Sequence, residues 1–225
     1  MIESIRTAQP YLRPFPEFED VFTEPLALQR RHFLPLISLD ASVVDKELSG
    51  WLHFVTPIEP LLELDVGYFT REFHDYYNSM GQYAFQVVDG KYRFTGDFRY
   101  FAYESGEIYR AMPGLEHEIE ADYQLRFSTY EESKRGYRLH GRIPWYAETP
   151  YVAGSDICGP LISQVGGKPV SSRSPEPEGP VNRRGTPFRY IGEVQGYSYC
   201  GGGIQAILLF YDPEEQIALF RTEWT

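Results

Sequence analysis

Residues 204–224 read IQAILLFYDPEEQIALFRTEW, and this stretch decides the fold. Ile204–Tyr211 is an apolar run of strand length, far short of the roughly 18–20 residues of a membrane span. Asp212-Pro213-Glu214-Glu215 supplies turn residues, and Gln216–Trp224 returns with a second apolar run. Two such runs about a short polar turn predict an antiparallel hairpin. The unbroken Ala206-Ile-Leu-Leu-Phe210 predicts a strand buried on both faces.

Working outward, the pattern stays β-rich. Phe188–Val194 reads as a strand, and Gly201-Gly202-Gly203 as a bulge before the next one. Residues 168–187 are loop chemistry, dense in Pro and Gly. Pro35–Leu39 predicts a strand closed by Asp40, a good cap for a short helix over Ala41–Leu48. Trp51–Thr56 then resumes as a strand. Tyr83–Val88, Tyr92–Thr95, Phe98–Tyr103 and Glu107–Met112 read as an antiparallel meander punctuated by Asp89-Gly90, Gly96-Asp97 and Ser105-Gly106.

Two further helices are predicted. Thr70 caps one over Arg71–Met80, with Phe73, Tyr76, Tyr77 and Met80 on one face and Gly81 at its end. A longer one covers Leu115–Arg135, with Leu115, Ile119, Tyr123 and Phe127 at intervals of four, acids first and bases last, stopped by Gly136. The expected class is therefore α+β, mostly antiparallel β, with one long and one or two short helices. It forms a single domain over 1–225, with halves of about 1–112 and 137–225 joined by the helix at 115–135.

Composition limits function. Among 225 residues, 21 are basic and 32 acidic, a formal charge of −11. Such a field repels nucleic acid and anionic lipid alike. Met1–Pro16 holds no apolar run, so the reading is cytosolic. Two cysteines, Cys158 and Cys200, are too few for a disulfide framework or a structural zinc site and are read as free thiols, with a single disulfide left open. The 18 Tyr and 15 Phe concentrate between Tyr68 and Tyr130.

The sequence also echoes itself. Pro35-Leu-Ile-Ser-Leu-Asp40 with Leu52–Pro57 resembles Pro187-Phe-Arg-Tyr-Ile-Gly192 with Leu208–Pro213, suggesting two related β units. Gly166-Gly167-Lys168-Pro169, the Pro175–Pro180 stretch, Gly185-Thr-Pro-Phe188, Gln195 and Gly201–Asp212 together resemble the YwqG-like family of bacterial proteins. The likeness covers the carboxyl-terminal third. It implies a mostly β architecture with two related halves, no established activity, and the character of a binding module, some members of the family lying beside bacterial toxin genes.

No catalytic constellation emerges from the residues. His32, His53, His74, His117 and His140 are scattered, and His117 with Glu120 offers two metal ligands without a third. His74-Asp75 are helical neighbours that point apart, and Cys200 has no evident base. Glu176 and Glu178, or Glu214 and Glu215, are acids on turns rather than a pair opposed across a substrate. No metal and no cofactor are expected. The favoured expectation is a non-catalytic immunity protein, monomer or homodimer, that binds a basic, nuclease-type toxin. Its contact residues would be Glu116, Glu118, Glu120, Glu214 and Glu215, with Tyr130 and Arg183 as rim or anchor. The alternatives are a hydrolase with carboxylates on separate strands, or a small-ligand binder with a deep apolar pocket.

Overall fold

A computed structural model describes residues 1–59, 64–144, 158–169, 179–200 and 206–223. Its strands are β1 (Ile2–Ile5), β2 (Leu12–Pro14), β3 (Phe33–Asp40), β4 (Trp51–Pro57), β5 (Gln82–Val88), β6 (Lys91–Phe94), β7 (Ile143–Pro144), β8 (Cys158–Gly159), β9 (Ile162–Val165), β10 (Arg189–Val194), β11 (Ala206–Asp212) and β12 (Ile217–Glu223). The helices are α1 (Phe18–Val21), α2 (Leu26–His32), α3 (Ala102–Ser105), α4 (Glu107–Ala111), α5 (Glu116–His140) and α6 (Gly196–Cys200). The class is α+β with antiparallel sheets and one long helix, as expected.

The hairpin β11–β12 forms in full register, from Ala206 opposite Glu223 to Asp212 opposite Ile217. It lies inside a sheet ordered β1-β9-β10-β11-β12-β5-β6, so strands from both ends of the chain share one sheet. Burial on both faces follows: Ile207 and Leu209 point into the main core, and Leu208 and Phe210 into a second cluster with Tyr77, Phe188 and Leu219. A second sheet, β2-β3-β4, contributes Phe33, Leu36, Phe54 and Val55 to the main core.

The β3–β4 and β10–β11 pairs share a local geometry, though Pro35 corresponds to Tyr190 and not to the Pro187 of the sequence echo. In β3–β4 the register slips between Pro35 and Ile37, where Ile37 pairs with Phe54. In β10–β11 it slips between Tyr190 and Gly192, where Gly192 pairs with Leu209. One sequence offset carries Leu36 to Ile191 and Phe54 to Leu209. A helical turn follows the first strand in each case, Ala41–Val43 and α6. Only the first turn of the helix predicted over Ala41–Leu48 forms, and Asp40 caps it as expected, accepting Ser42 N–H at 3.0 Å.

The hairpin β5–β6 also matches its sequence, because Asp89 and Gly90 both take positive φ, 50° and 76°, as a tight antiparallel turn demands. Three other expectations are corrected. The helix at 71–80 is a single 3-10 turn, Arg71–Phe73. Thr70 gives its hydroxyl to Tyr100 O at 2.6 Å instead of capping, and Asp75 Oδ1 accepts the N–H groups of Tyr77 and Asn78, which bends the chain out of any helix. The strands expected at 98–103 and 107–112 are a 3-10 turn at Phe98–Tyr100, then α3 and α4. Asp97 accepts Arg99 N–H and Glu59 accepts those of Ala102 and Tyr103, satisfying donors that a strand would have spent on a neighbour.

Finally, α5 runs past Gly136 to end at Gly141, whose φ is +68°. Its last turns are held by Lys134 and Arg138 on Glu17, at 2.8 and 2.6 Å, and by Tyr137 against Phe15. That docking outweighs the cost of about 1 kcal/mol for an internal glycine. Gly201–Gly203, Glu176 and Glu178 lie outside the described residues.

The two sheets meet at Gly192. A Cβ there would collide with the carbonyl oxygen of Gln164 and stand 3.3 Å from the Phe54 ring. Gly192→Ala is expected to lower stability by about 3 kcal/mol, the cost of overpacking against backbone that cannot move aside. Urea unfolding checks this: the midpoint falls and the slope stays unchanged.

Candidate partner-binding surface

The residues proposed from sequence fall into two surface groups and one buried position. Glu116, Glu118 and Glu120 are exposed on the first turns of α5. Glu116 accepts Gly114 N–H at 3.2 Å, and its own backbone N–H with that of Gly114 holds its carboxyl below the usual range. Glu118 has no side-chain partner among the described residues. Glu120 accepts the Tyr103 hydroxyl at 2.6 Å, and the Tyr103 ring stacks on Tyr123 at 4.2 Å with Tyr109 at its edge. Burial and the Glu120 carboxylate both raise the Tyr103 pKa, so the phenol stays a donor. The result is an acidic ridge edged by aromatic rings.

Arg183, Glu214 and Glu215 form the second group, with Tyr76 and Tyr77, more than a hundred positions earlier in the chain. Tyr77 donates to Glu215 Oε2 at 2.7 Å, and Arg183 N–H donates to the Tyr77 hydroxyl at 3.2 Å. The Tyr77 pKa is pushed up to about 12, by burial first and the Glu215 hydrogen bond second. The Arg183 guanidinium lies 5.3 Å from the Tyr77 ring centre and 5.8 Å from that of Tyr76.

Beneath them, Asn182 is fully buried. It donates to Asp212 Oδ2 at 2.6 Å and accepts Arg184 and Thr186 N–H, which locks the loop onto the β11–β12 turn. Glu214 is exposed, with only its backbone N–H engaged, by Asp212. Half-exposed Tyr76 and exposed Arg183 are thus presented on a fixed base, the arrangement of an interface anchor.

Tyr130 is not a rim residue. It is fully buried, its hydroxyl donating to Pro35 O at 2.6 Å and its ring 5.6 Å from Phe15. It falls on the same face of α5 as Ile119 and Tyr123, the face that packs into the core.

The polar groups that resemble chemistry are buried. Ser38 Oγ and His53 Nδ1 are 2.7 Å apart, with His53 Nε2 on Gly90 O at 2.8 Å. They are cross-strand neighbours in β3–β4, 2% and 4% exposed, so the pair fastens the sheet rather than meeting a substrate. Burial holds His53 and His32 neutral, each pushed down to about 4, and His32 rests on Glu104 Oε2 at 3.1 Å while stacking on Phe101. Cys200 is a free, buried thiol pushed up to about 12 by burial. The side chain of Cys158 lies outside the described residues. Among the described residues no cluster of His, Cys, Asp or Glu could hold a metal ion, and no helix is long and apolar enough to cross a membrane.

Sequence reasoning missed Glu59, and nothing around it signalled a role. It is buried just past β4, accepting Tyr103 N–H at 2.6 Å, Ala102 N–H at 2.9 Å and the Tyr123 hydroxyl at 3.0 Å. Burial pushes its carboxyl up to about 7 against these three donors. No family model matches the chain, and neither a curated protein nor a solved structure matches it.

Glu59 has a pH consequence. Its folded pKa lies above the usual 4.5, so the folded state binds the extra proton, and that stabilisation is full below 4.5 and lost as pH rises through 7. His32 and His53 act in the opposite sense over pH 4 to 6.5, but equally in wild type and in Glu59→Gln. Relative to that variant, wild type should lose on the order of 3 kcal/mol between pH 4.5 and 8. Urea titrations of both proteins across this range measure the difference.

Proposed function

We propose that this protein is a non-catalytic binding module, an immunity protein that neutralises a basic bacterial toxin by covering it. The observation that carries the reading is the ridge at the start of α5. The Glu116 and Glu120 carboxyls stand exposed beside the rings of Tyr103 and Tyr109, and Glu118, about half a turn away, lies on the outer face. Lysine or arginine side chains of a partner find carboxylates to pair with and ring faces to lie on in one place. The overall charge of −11 would steer a basic partner toward the surface.

The platform of Tyr76 and Arg183 supplies a second point of attachment, already ordered before contact, which reduces the entropy lost on binding. The likeness of residues 166–212 to YwqG-like proteins points the same way. The hydrolase reading would draw on Glu59, the carboxyl pushed to about 7. Full burial and three donors committed to holding α3 and α5 favour the binding reading over it.

The test is co-purification with the toxin encoded beside this protein, and protection of cells against it. Glu116→Lys with Glu120→Lys is expected to slow association roughly 10- to 100-fold at low salt and to flatten its salt dependence. An association rate that ignores both the double substitution and the salt would remove the electrostatic argument. Failure to bind or protect at all would end the immunity assignment.

A further inference from the structure

We propose that α5 is also the seam of a homodimer, in which two copies pair their long helices antiparallel. The inference is independent of the toxin reading and rests on the outer face of the helix. Glu118, Leu125, Glu132 and Leu139 recur every seven residues, and Ala121, Ser128 and Arg135 fill the intervening positions of the same stripe. All seven are exposed. Leu125 and Leu139 are 60% and 75% exposed, far more than core-forming leucines elsewhere in the chain. The spacing is that of a helix–helix seam, alternating three and four residues.

Charge decides the occupant and its direction. Lys134 and Arg138 are already drawn to Glu17, which leaves Arg135 as the cation on the outer stripe, and neither it nor Glu118 nor Glu132 has an ion pair among the described residues. The acids Glu116, Glu118 and Glu120 lie at one end of the helix and Arg135 near the other. A second copy laid antiparallel answers this polarity, because its basic end runs beside the acidic end of the first, and the helix dipoles oppose each other.

One register satisfies the stripe throughout. With Glu118 opposite Arg135 of the second copy, Leu125 falls opposite Ser128. The two Leu125 side chains then lie about 5 Å apart along the axis, around the symmetry centre, and the small Ser128 allows close approach. Ala121 faces the stem of Glu132, and Leu139 reaches the level of Leu115, itself 39% exposed, in the other copy. Two reciprocal ion pairs thus bracket an apolar centre. A parallel pair would set acids against acids.

A single helix face gives a modest interface, so dissociation constants on the order of 10 μM are expected at about 0.15 M salt, where the repulsion between two acidic bodies is screened beyond about 8 Å. Sedimentation equilibrium of the full chain without any partner is the test. Arg135→Glu should weaken the dimer at least about tenfold, and Glu118→Arg in the same chain should restore it to within about threefold, since the reversed pair is equivalent. Leu125→Glu should leave a monomer. Circular dichroism on each variant checks that these exposed substitutions leave the fold intact.

A wild-type protein that remains monomeric up to about 200 μM overturns the proposal. So does a dimer that Arg135→Glu leaves unchanged, or one the double exchange fails to restore. Arg135→Glu and Leu125→Glu leave the acidic ridge at Glu116, Glu118 and Glu120 untouched, so with these two variants loss of the dimer and loss of toxin binding are separable.

Discussion

Tyr130 reaches from the middle of α5 into the irregular part of β3 and gives its hydroxyl to the carbonyl of Pro35. The rest of the architecture depends on contacts of this kind. A slip in a buried ladder leaves backbone polar groups facing other than their strand partners, and an unmet one costs about 1–3 kcal/mol. Around this slip, Phe15 N–H donates to Leu36 O at 2.7 Å, Tyr83 gives its hydroxyl to Val55 O, and Tyr92 accepts His53 N–H. Three phenols, from α5, β5 and β6, thereby tie the three-stranded sheet to the rest of the molecule, and the Phe15 donor closes the end of β2 onto β3. Phenylalanine would fill the same volume and leave the Pro35 and Val55 carbonyls and the His53 N–H without these partners.

The abundance of tyrosine is explained first inside the protein. Tyr83, Tyr92, Tyr100, Tyr130 and Tyr199 are among the largest fully buried side chains, and each has a backbone partner. The composition suits both a ring-filled core and a contact surface. The structure divides the tyrosines into those that hold backbone and the few left at the surface, Tyr68 and Tyr76 among them. Tyr103 and Tyr109 stand between the two, half-buried at the edge of the acidic ridge.

What could be read from the chain follows the same line. Elements specified by their own residues were legible: the β11–β12 hairpin by its apolar runs, the Asp89-Gly90 turn by its backbone preference, the Asp40 cap by its side chain. Elements specified by a distant residue were not. The segment 98–112 has strand-like residues but becomes helical because Glu59, some forty positions earlier, supplies acceptors for two N–H groups. Thr70 looks like a cap, and its hydroxyl is taken by Tyr100. Gly136 should end a helix, and docking on Glu17 and Phe15 carries α5 past it. For the surface, acids on exposed turns were legible as exposed, whereas the joining of Arg183 and Glu215 to Tyr77 needed the fold.

The order of strands carries a consequence for how the molecule is made. In the large sheet β12 lies between β11 and β5, yet β5 precedes it by more than a hundred residues, and β1 waits as long for β9. During synthesis the β5–β6 hairpin can form early but has no sheet to join until the last described strand has left the ribosome. Closing such distant pairings makes for slow folding. Until β12 arrives, the apolar side chains of β5 and β11 that it will separate are open to other chains, so for β5 the exposure lasts for most of the protein's own translation.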